Sequence, residues 1–182
     1  MASKPGERKL QILQTVAQMF EGLIEFIEQT VFSLVNQIAE REGATAVSVN
    51  SSTLDAAANS GATSGFDNGA GVRHAGKVAA MLIQFAEKNP GMTRVMVGDA
   101  LVFENERLQQ RMNQFFDKIE SIFRQNLRGA AHGNGSATPS VDAQVSASVL
   151  TAFVVGRLQR FARSGFKRLP SEHLEASLAQ ML

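Results

Sequence analysis

The sequence predicts an all-α fold of about six helices. Apolar residues recur at spacings of three or four over the first forty positions, which is the pattern of one face of a helix. Five further stretches repeat that spacing, and glycine or proline interrupts the chain between most of them. No stretch shows the sustained alternation of apolar and polar residues that is typical of a half-buried strand.

The first helix has an unbroken apolar line. It consists of Leu10, Leu13, Val16–Ala17, Phe20, Leu23–Ile24, Ile27, Val31, Leu34 and Ile38. A second apolar set, Ile12, Met19, Phe26 and Val35, predicts that this helix has neighbours on two sides. We expect the helix to run from about Pro5 to about Arg41, with Gly22 in its interior at a cost of about 1 kcal/mol relative to Ala.

Composition divides the chain into three segments. Residues 1–42 form the long helix, and residues 72–182 form a helical core and dimerisation region. Residues 43–71 are rich in Gly, Ser, Ala and Asn and carry only Asp55 and Asp67 as charged residues. This middle segment can bury little apolar surface, so we expect a flexible loop.

The last segment is predicted to contain five helices. Their expected ranges are Val72–Asn89, Met92–Val102, Glu104–Arg128, Ser140–Lys167 and Ser171–Leu182. Ser140 and Ser171 are the expected N-caps of the last two. The Glu104–Arg128 helix has an inner line of Leu108, Met112, Phe115–Phe116, Ile119, Ile122–Phe123 and Leu127. The Ser140–Lys167 helix has an inner line of Val141, Val145, Val149, Phe153, Val154, Leu158 and Phe161.

The composition of the chain also excludes some classes of function. The 182 residues include no Cys, so a disulfide, a thiolate ligand and a nucleophilic thiol are excluded, which fits a cytoplasmic location. The net charge of +1 is not that of a dedicated nucleic-acid binder. The N-terminus lacks a signal-peptide pattern, and no uncharged apolar run is long enough to cross a bilayer.

No group of residues predicts catalysis. The three histidines, His74, His132 and His173, are far apart and have no metal-ligand spacing. We therefore expect no enzyme activity, no metal and no cofactor. Four basic residues, Arg157, Arg160, Arg163 and Lys167, share one face of the predicted helix. That face fits either contact with phosphates or anionic lipid, or a solvated helix end whose cations favour the helix dipole.

Several stretches of the chain carry a specific resemblance. They are QFAEKNPGMTR at residues 84–94, GDALVFE at 98–104, RLQQRMNQFF at 107–116 and GRLQRFARSGFK at 156–167. They resemble the SlmA family of nucleoid occlusion factors, a branch of the TetR family. Residues 7–13 are similar to that family's first helix, and residues 21–28 are similar to the start of its fourth helix.

The resemblance implies a TetR-like C-terminal helical bundle that forms a homodimer and is not an enzyme. Family members bind the C-terminal tail of the tubulin-like division protein FtsZ. By position, Phe26, Met81, Lys88 and Asn89 would bind that tail. The dimer interface would contain Ala152, Phe153, Gly156, Leu158, Phe161, Leu174 and Leu178.

The chain departs from the family pattern within its first helix. The family's DNA-reading helix-turn-helix lies between its first and fourth helices, whereas here Gln18 continues directly into Met19. The first helix is therefore interpreted as two family helices fused, with specific DNA binding lost and a nucleoid location only if some DNA binding survives. Two alternatives remain: a TetR-type regulator that senses a small hydrophobic ligand, and a chain that folds without a function.

Overall fold

The computed structural model describes residues 5–52, 68–98, 102, 104–133 and 137–182. These residues form six helices: α1 (Pro5–Ser52), α2 (Asn68–Lys88), α3 (Pro90–Val97), α4 (Glu106–Gly133), α5 (Pro139–Arg163) and α6 (Leu174–Met181). The described residues contain no strand. The predicted all-α fold is confirmed.

The first helix is longer than predicted. It spans 48 residues, which corresponds to about 72 Å at 1.5 Å per residue. Gly43 does not end it, because a single glycine costs a helix only about 1 kcal/mol and no proline follows. Helical backbone thus occupies both ends of the segment predicted as a loop, up to Ser52 and from Asn68. The middle of that predicted loop, residues 53–67, lies outside the described residues.

The two halves of α1 have different surroundings. Residues 20–38, the docked half, bury Ile24, Ile27, Val31 and Val35 in the core. Residues 6–19, the α1 tip, leave Leu10, Ile12, Leu13 and Met19 between 51% and 65% exposed. The apolar line that the sequence carries without a break is therefore buried over only part of its length. The prediction that this helix has neighbours on two sides is wrong for the tip of a single copy, because Ile12 and Met19 of the second apolar set are exposed there.

Directions within the bundle follow from paired contacts. Arg107 Nε lies 3.2 Å from Glu21 Oε1, and Arg111 Nη2 lies 3.0 Å from Glu28 Oε2. Residue numbers rise together in these two pairs, so α1 and α4 run in the same direction. Gly71, near the start of α2, lies so close to the carbonyl of Asn126, near the end of α4, that a Cβ there would collide with it. Since α2 also packs on α4, α2 runs opposite to both α4 and α1.

The middle of the core is formed by α4. The predicted inner line is confirmed, with Leu108, Met112, Phe115, Ile119, Phe123 and Leu127 buried and Phe116 and Ile122 partly buried against the core. The ring of Phe115 lies 5.7 Å from that of Phe32 on α1, at a tilted angle. Asn105 Oδ1 accepts a hydrogen bond from the Leu108 N–H at 3.3 Å and so caps the start of α4.

The buried face of α5 differs from the predicted one. Ala143, Ala147 and Leu150 are buried, whereas Val141, Val145 and Val149 are 59%, 57% and 51% exposed. Small side chains on the inner face let a helix approach its neighbour closely, so α5 packs its alanines on α4 and turns its valines outward. The helix starts at Pro139 after the N-cap residue Thr138 rather than at Ser140, because Pro is well suited to the first helical position.

The chain leaves α5 through two residues in the left-handed region. Gly165 has φ 64° and Phe166 has φ 63°. The Phe166 N–H donates to the Phe161 carbonyl at 3.0 Å, and the two rings meet edge to face at 5.1 Å. This turn ends α5 at Arg163, so Lys167 is not on the helix as predicted. The last helix begins at Leu174, and its N-cap is His173 rather than Ser171.

Candidate functional site: the corner of α1, α2 and α3

Three of the four predicted tail-binding residues lie at one end of the bundle. Because α1 and α4 are parallel and α2 is antiparallel to both, the C-terminal end of α2 lies level with the early part of the docked half. Lys88 and Asn89 are at that end of α2, and Phe26 is in that part of α1. Met81 lies about two turns further back along α2.

Phe26 faces away from the core. Its exposed fraction is 51%, whereas Ile24 and Ile27 on either side of it are fully buried. A phenylalanine exposed to this degree offers a large apolar contact surface and has no polar group to satisfy. Met81 is half-buried and packs against the core from α2. The two apolar members of the predicted set therefore differ: Phe26 is open to a ligand, and Met81 is largely part of the fold.

The polar members of the site lie at the turn from α2 to α3. Lys88 is exposed in the last turn of α2, where a cation also favours the helix dipole. Asn89 is half-buried, and its side-chain Nδ2 donates to the Phe85 carbonyl at 2.8 Å. Thr93 Oγ1 donates to the Ala86 carbonyl at 2.7 Å. These bonds fix the turn before Pro90. They use one of the two amide N–H donors of Asn89 and leave its side-chain carbonyl oxygen as an acceptor.

One polar atom near this turn was not anticipated from the sequence. Glu87 Oε2 is buried and has no hydrogen-bond partner among the described residues. Nothing in the spacing of the sequence singles out Glu87, because a glutamate near a helix end is usually solvated.

The predicted dimer residues fall into two groups. Ala152 and Gly156 are exposed on the outer face of α5, and a Cβ added at Gly156 would meet nothing within 4 Å. Leu158, Phe161 and Leu174 are buried in the core of the single chain, so they present little surface to a partner. Phe153 and Leu178 are partly buried and pack against that core.

Sequence reasoning missed part of the exposed face of α5. Val141, Val145 and Val149 continue the line of Ala152 and Gly156 at helical spacing, and we call these five residues the α5 outer face. The helical spacing of Val141, Val145 and Val149 predicts one apolar face, but the prediction that this face is the inner one is wrong. By length and composition alone α5 is also apolar enough to cross a membrane. This is weak evidence, because one face of the helix is packed in the core.

The basic residues after position 156 do not form one surface. Arg157 donates to the Glu172 carbonyl at 2.8 Å and to Ser177 Oγ at 3.0 Å, and its guanidinium lies 5.0 Å from the Phe153 ring centre. It therefore holds α6 on α5. Lys167 lies past the end of the helix. These contacts give Arg157 a role in packing, whereas Arg160 and Arg163 are exposed in the last turn of α5.

Comparison with known proteins identifies the family. Residues 72–182 match a family model described as the tetracyclin repressor-like, C-terminal domain, of SlmA-like type. This match covers α3 to α6 and nearly all of α2. The chain belongs to the SlmA-like family.

Individual SlmA-like relatives extend the match upstream. The chain is 41% identical over 157 residues to the nucleoid occlusion factor SlmA of Aliivibrio fischeri, which is 86% of this chain and 66% of that protein. It is 40% identical over 159 residues to the SlmA of Vibrio cholerae, covering 87% of this chain and 67% of the relative. The SlmA of Idiomarina loihiensis is 39% identical over 160 residues, 88% of this chain and 68% of the relative. The chain thus spans just under two thirds of the Aliivibrio protein.

The extent of these alignments bears on the fused first helix. Residues 72–182 are 111 positions, so at least 46 of the 157 residues aligned with the Aliivibrio protein lie upstream of Val72. The family likeness therefore includes sequence before the C-terminal domain, in the region that contains α1.

Proposed function

We propose that this chain is the core of a nucleoid occlusion factor that binds the acidic C-terminal tail of FtsZ as a homodimer and has lost specific DNA binding. The observation that carries the proposal is the exposed ring of Phe26 at the same end of the bundle as Lys88 and Asn89. Phe26 supplies apolar contact, Lys88 supplies a cation for a carboxylate, and Asn89 supplies an acceptor for a peptide N–H. The protein acts by binding and needs no catalytic group, and its site of action is the cytoplasm.

Binding of a labelled FtsZ tail peptide to the full chain tests this site. Phe26→Ala and Lys88→Glu should each raise the Kd about tenfold or more, which corresponds to about 1.4 kcal/mol. Leu169→Ala is the matched control for Phe26, because Leu169 is equally exposed, at 51%, but lies after α5. It should leave the Kd within about twofold. Absence of saturable binding by the folded natural chain would refute the proposal.

The proposed homodimer uses the α5 outer face. Three valines with more than half their surface exposed, next to small residues that permit close approach, form a contiguous apolar surface along one helix. Light scattering should give a dimer mass for the natural chain and a smaller mass for Val149→Glu. Leu169→Glu introduces the same charge at a position of the same 51% exposure and should leave the dimer intact. Equal masses for both variants would contradict an interface on α5.

The proposed loss of specific DNA binding rests on the continuity of α1. One helix passes from residue 5 through Gln18 and Met19 without interruption, so no separate reading helix is inserted there. A mobility-shift assay at several salt concentrations should detect at most weak, salt-sensitive binding that does not depend on sequence. A tight, sequence-selective complex would show that another element reads DNA.

The alternative function, sensing of a small hydrophobic ligand, requires an internal cavity. Two cavities at the described residues lie at helix ends. One of about 790 Å³ lies at the start of α2 and the end of α4, beside Gly71 and Asn126. Another of about 490 Å³ lies where α3 and α5 end, beside Arg94 and Arg163. The centre of the described core is filled by Phe115 and Phe123. This arrangement favours the peptide-binding proposal.

A further inference from the structure

A second apolar line on α1 runs from the tip into the early part of the docked half and is largely exposed. The line consists of Ile12, Val16, Met19, Leu23 and Phe26, and we call it the seam. Ile12, Met19, Leu23 and Phe26 are 61%, 65%, 40% and 51% exposed, and Val16 is half-buried. At about 100° per residue, the seam lies roughly 100° around α1 from the line of Ile24, Ile27 and Val31 that enters the core.

The spacing of the seam is that of a coiled coil. Successive members are separated by four, three, four and three residues, which is the heptad pattern of positions that pack into the holes of a facing helix. A heptad line is self-complementary, because an equivalent helix presents the same knobs and holes. A short peptide in an extended conformation or a flat lipid surface makes no use of this regularity.

Burial of the seam would also stabilise the tip. The tip, residues 6–19, extends α1 beyond the residues that are buried in the core, and its large apolar side chains Leu10, Ile12, Leu13 and Met19 are more than half exposed. A helical segment without tertiary packing contributes little to stability. Covering the apolar side chains of the tip would therefore stabilise this end of α1.

Charge indicates how a second copy would be oriented. Arg8 and Lys9 are exposed just before the seam and outweigh the single carboxylate of Glu7 beside them. The residues that border the seam further along, Thr15 and Gly22, are uncharged. A parallel pair would place the basic ends of two copies together, whereas an antiparallel pair centred near Met19 separates them by about 30 Å. Gly22 has open space around its Cβ position, so a neighbouring helix can approach closely there.

We propose that the seams of two copies of this chain pack against each other as an antiparallel helix pair. This contact is separate from the α5 outer face, which lies on a different helix. It also has a consequence that rests on the proposed function: Phe26 belongs both to the seam and to the tail-binding corner. Pairing buries Phe26, so pairing and tail binding exclude each other.

Cysteine cross-linking of the full chain tests the pairing. The chain has no natural Cys, so each single-cysteine variant reports one position. Met19→Cys lies near the centre of an antiparallel pair and should form a covalent dimer at least about tenfold faster than Gln18→Cys, an exposed control that points away from the seam. Ile12→Cys should also be slow, because antiparallel packing places the two Ile12 positions at opposite ends. Equal rates for Met19→Cys and Gln18→Cys would overturn the pairing, and a rapid Ile12→Cys reaction would overturn its antiparallel order.

A second measurement separates the pairing from the tail-binding proposal. The cross-linked Met19→Cys dimer and the same protein after reduction are titrated with the labelled FtsZ tail peptide. The reduced chain should bind, and the cross-linked dimer should bind at least about tenfold more weakly. Equal binding by both forms would overturn the mutual exclusion. Failure of the reduced and the natural chain alike to bind would refute the proposed function, while the cross-linking rates would still decide the pairing.

Discussion

The two halves of α1 have the same apolar spacing, but one half is buried in the core and the other is exposed. In the docked half, Ile24, Ile27 and Val31 are fully buried. In the tip, Leu10 and Leu13 lie on the same helical line and remain 62% and 51% exposed. Periodicity thus predicts a helix and the direction of its apolar face, but burial depends on whether another element lies opposite that face.

The largest expected difference between the halves is in the free energy of unfolding. Ile27→Ala removes a fully buried side chain and should cost about 2–5 kcal/mol, because it removes apolar burial and leaves a cavity. Leu13→Ala in the exposed tip should cost less than about 0.5 kcal/mol. Denaturant unfolding of both variants at one chain concentration measures the difference. Similar costs would mean that the tip is buried in solution.

The next expected effect concerns the helix on which the docked half packs. Gly71→Ala places a Cβ against the carbonyl of Asn126, and this overpacking should cost about 1–3 kcal/mol by forcing α2 from α4. Gly76→Ala on the same helix is the control, because its Cβ would lie 3.5 Å from Leu182 Cδ1, an ordinary contact. It should be neutral or stabilise by up to about 1 kcal/mol. Thermal unfolding compares them, and equal destabilisation by both would contradict the close contact at Gly71.

A smaller effect is expected where the halves meet. Gly22→Ala adds a Cβ into open space and should stabilise α1 by about 0.5–1 kcal/mol, because alanine loses less backbone entropy in a helix than glycine. The unfolding midpoint and the helical signal in circular dichroism should both rise. A loss of stability would indicate that the space around Gly22 is occupied.

The smallest effects are expected at the ion pairs that attach the docked half to α4. Arg111 and Glu28 have side chains 32% and 17% exposed, so Arg111→Met should cost about 0.5 kcal/mol after solvent screening. Arg107 is 81% exposed in its pair with Glu21, and Arg107→Met should have a still smaller effect. Urea unfolding in low and high salt distinguishes the pairs. A larger loss at Arg107 would reverse the order that exposure predicts.

The sequence predicts where the helices lie along the chain more reliably than which face of each helix is buried. On α4 the large apolar residues form one narrow line, with charged residues elsewhere, so only one face can enter the core. On α5 apolar residues lie all around the helix, and periodicity does not tell the alanine face from the valine face. The structure decides between them through close packing of Ala143 and Ala147, which depends on the distance between two helices and not on hydrophobicity.

The candidate site is also only partly predictable from the sequence. Family resemblance placed Phe26, Lys88 and Asn89 at corresponding positions, and the directions of α1, α2 and α4 bring these residues to one end of the bundle. The hydrogen bond from Asn89 to Phe85 and the unpartnered oxygen of Glu87 depend on rotamers at the turn before Pro90. The spacing of residues in the sequence does not determine these side-chain rotamers.

Hydrogen exchange of the full chain, with and without the FtsZ tail peptide, tests the central proposal most directly. We expect the peptide to slow exchange in the segments that contain Phe26 and residues 81–89, and to leave α5 unchanged. In the free protein, amides of the docked half should exchange more slowly than those of the tip. Protection confined to α5 or α6, or no protection with a peptide that binds, would contradict the assignment of tail binding to the corner of α1, α2 and α3.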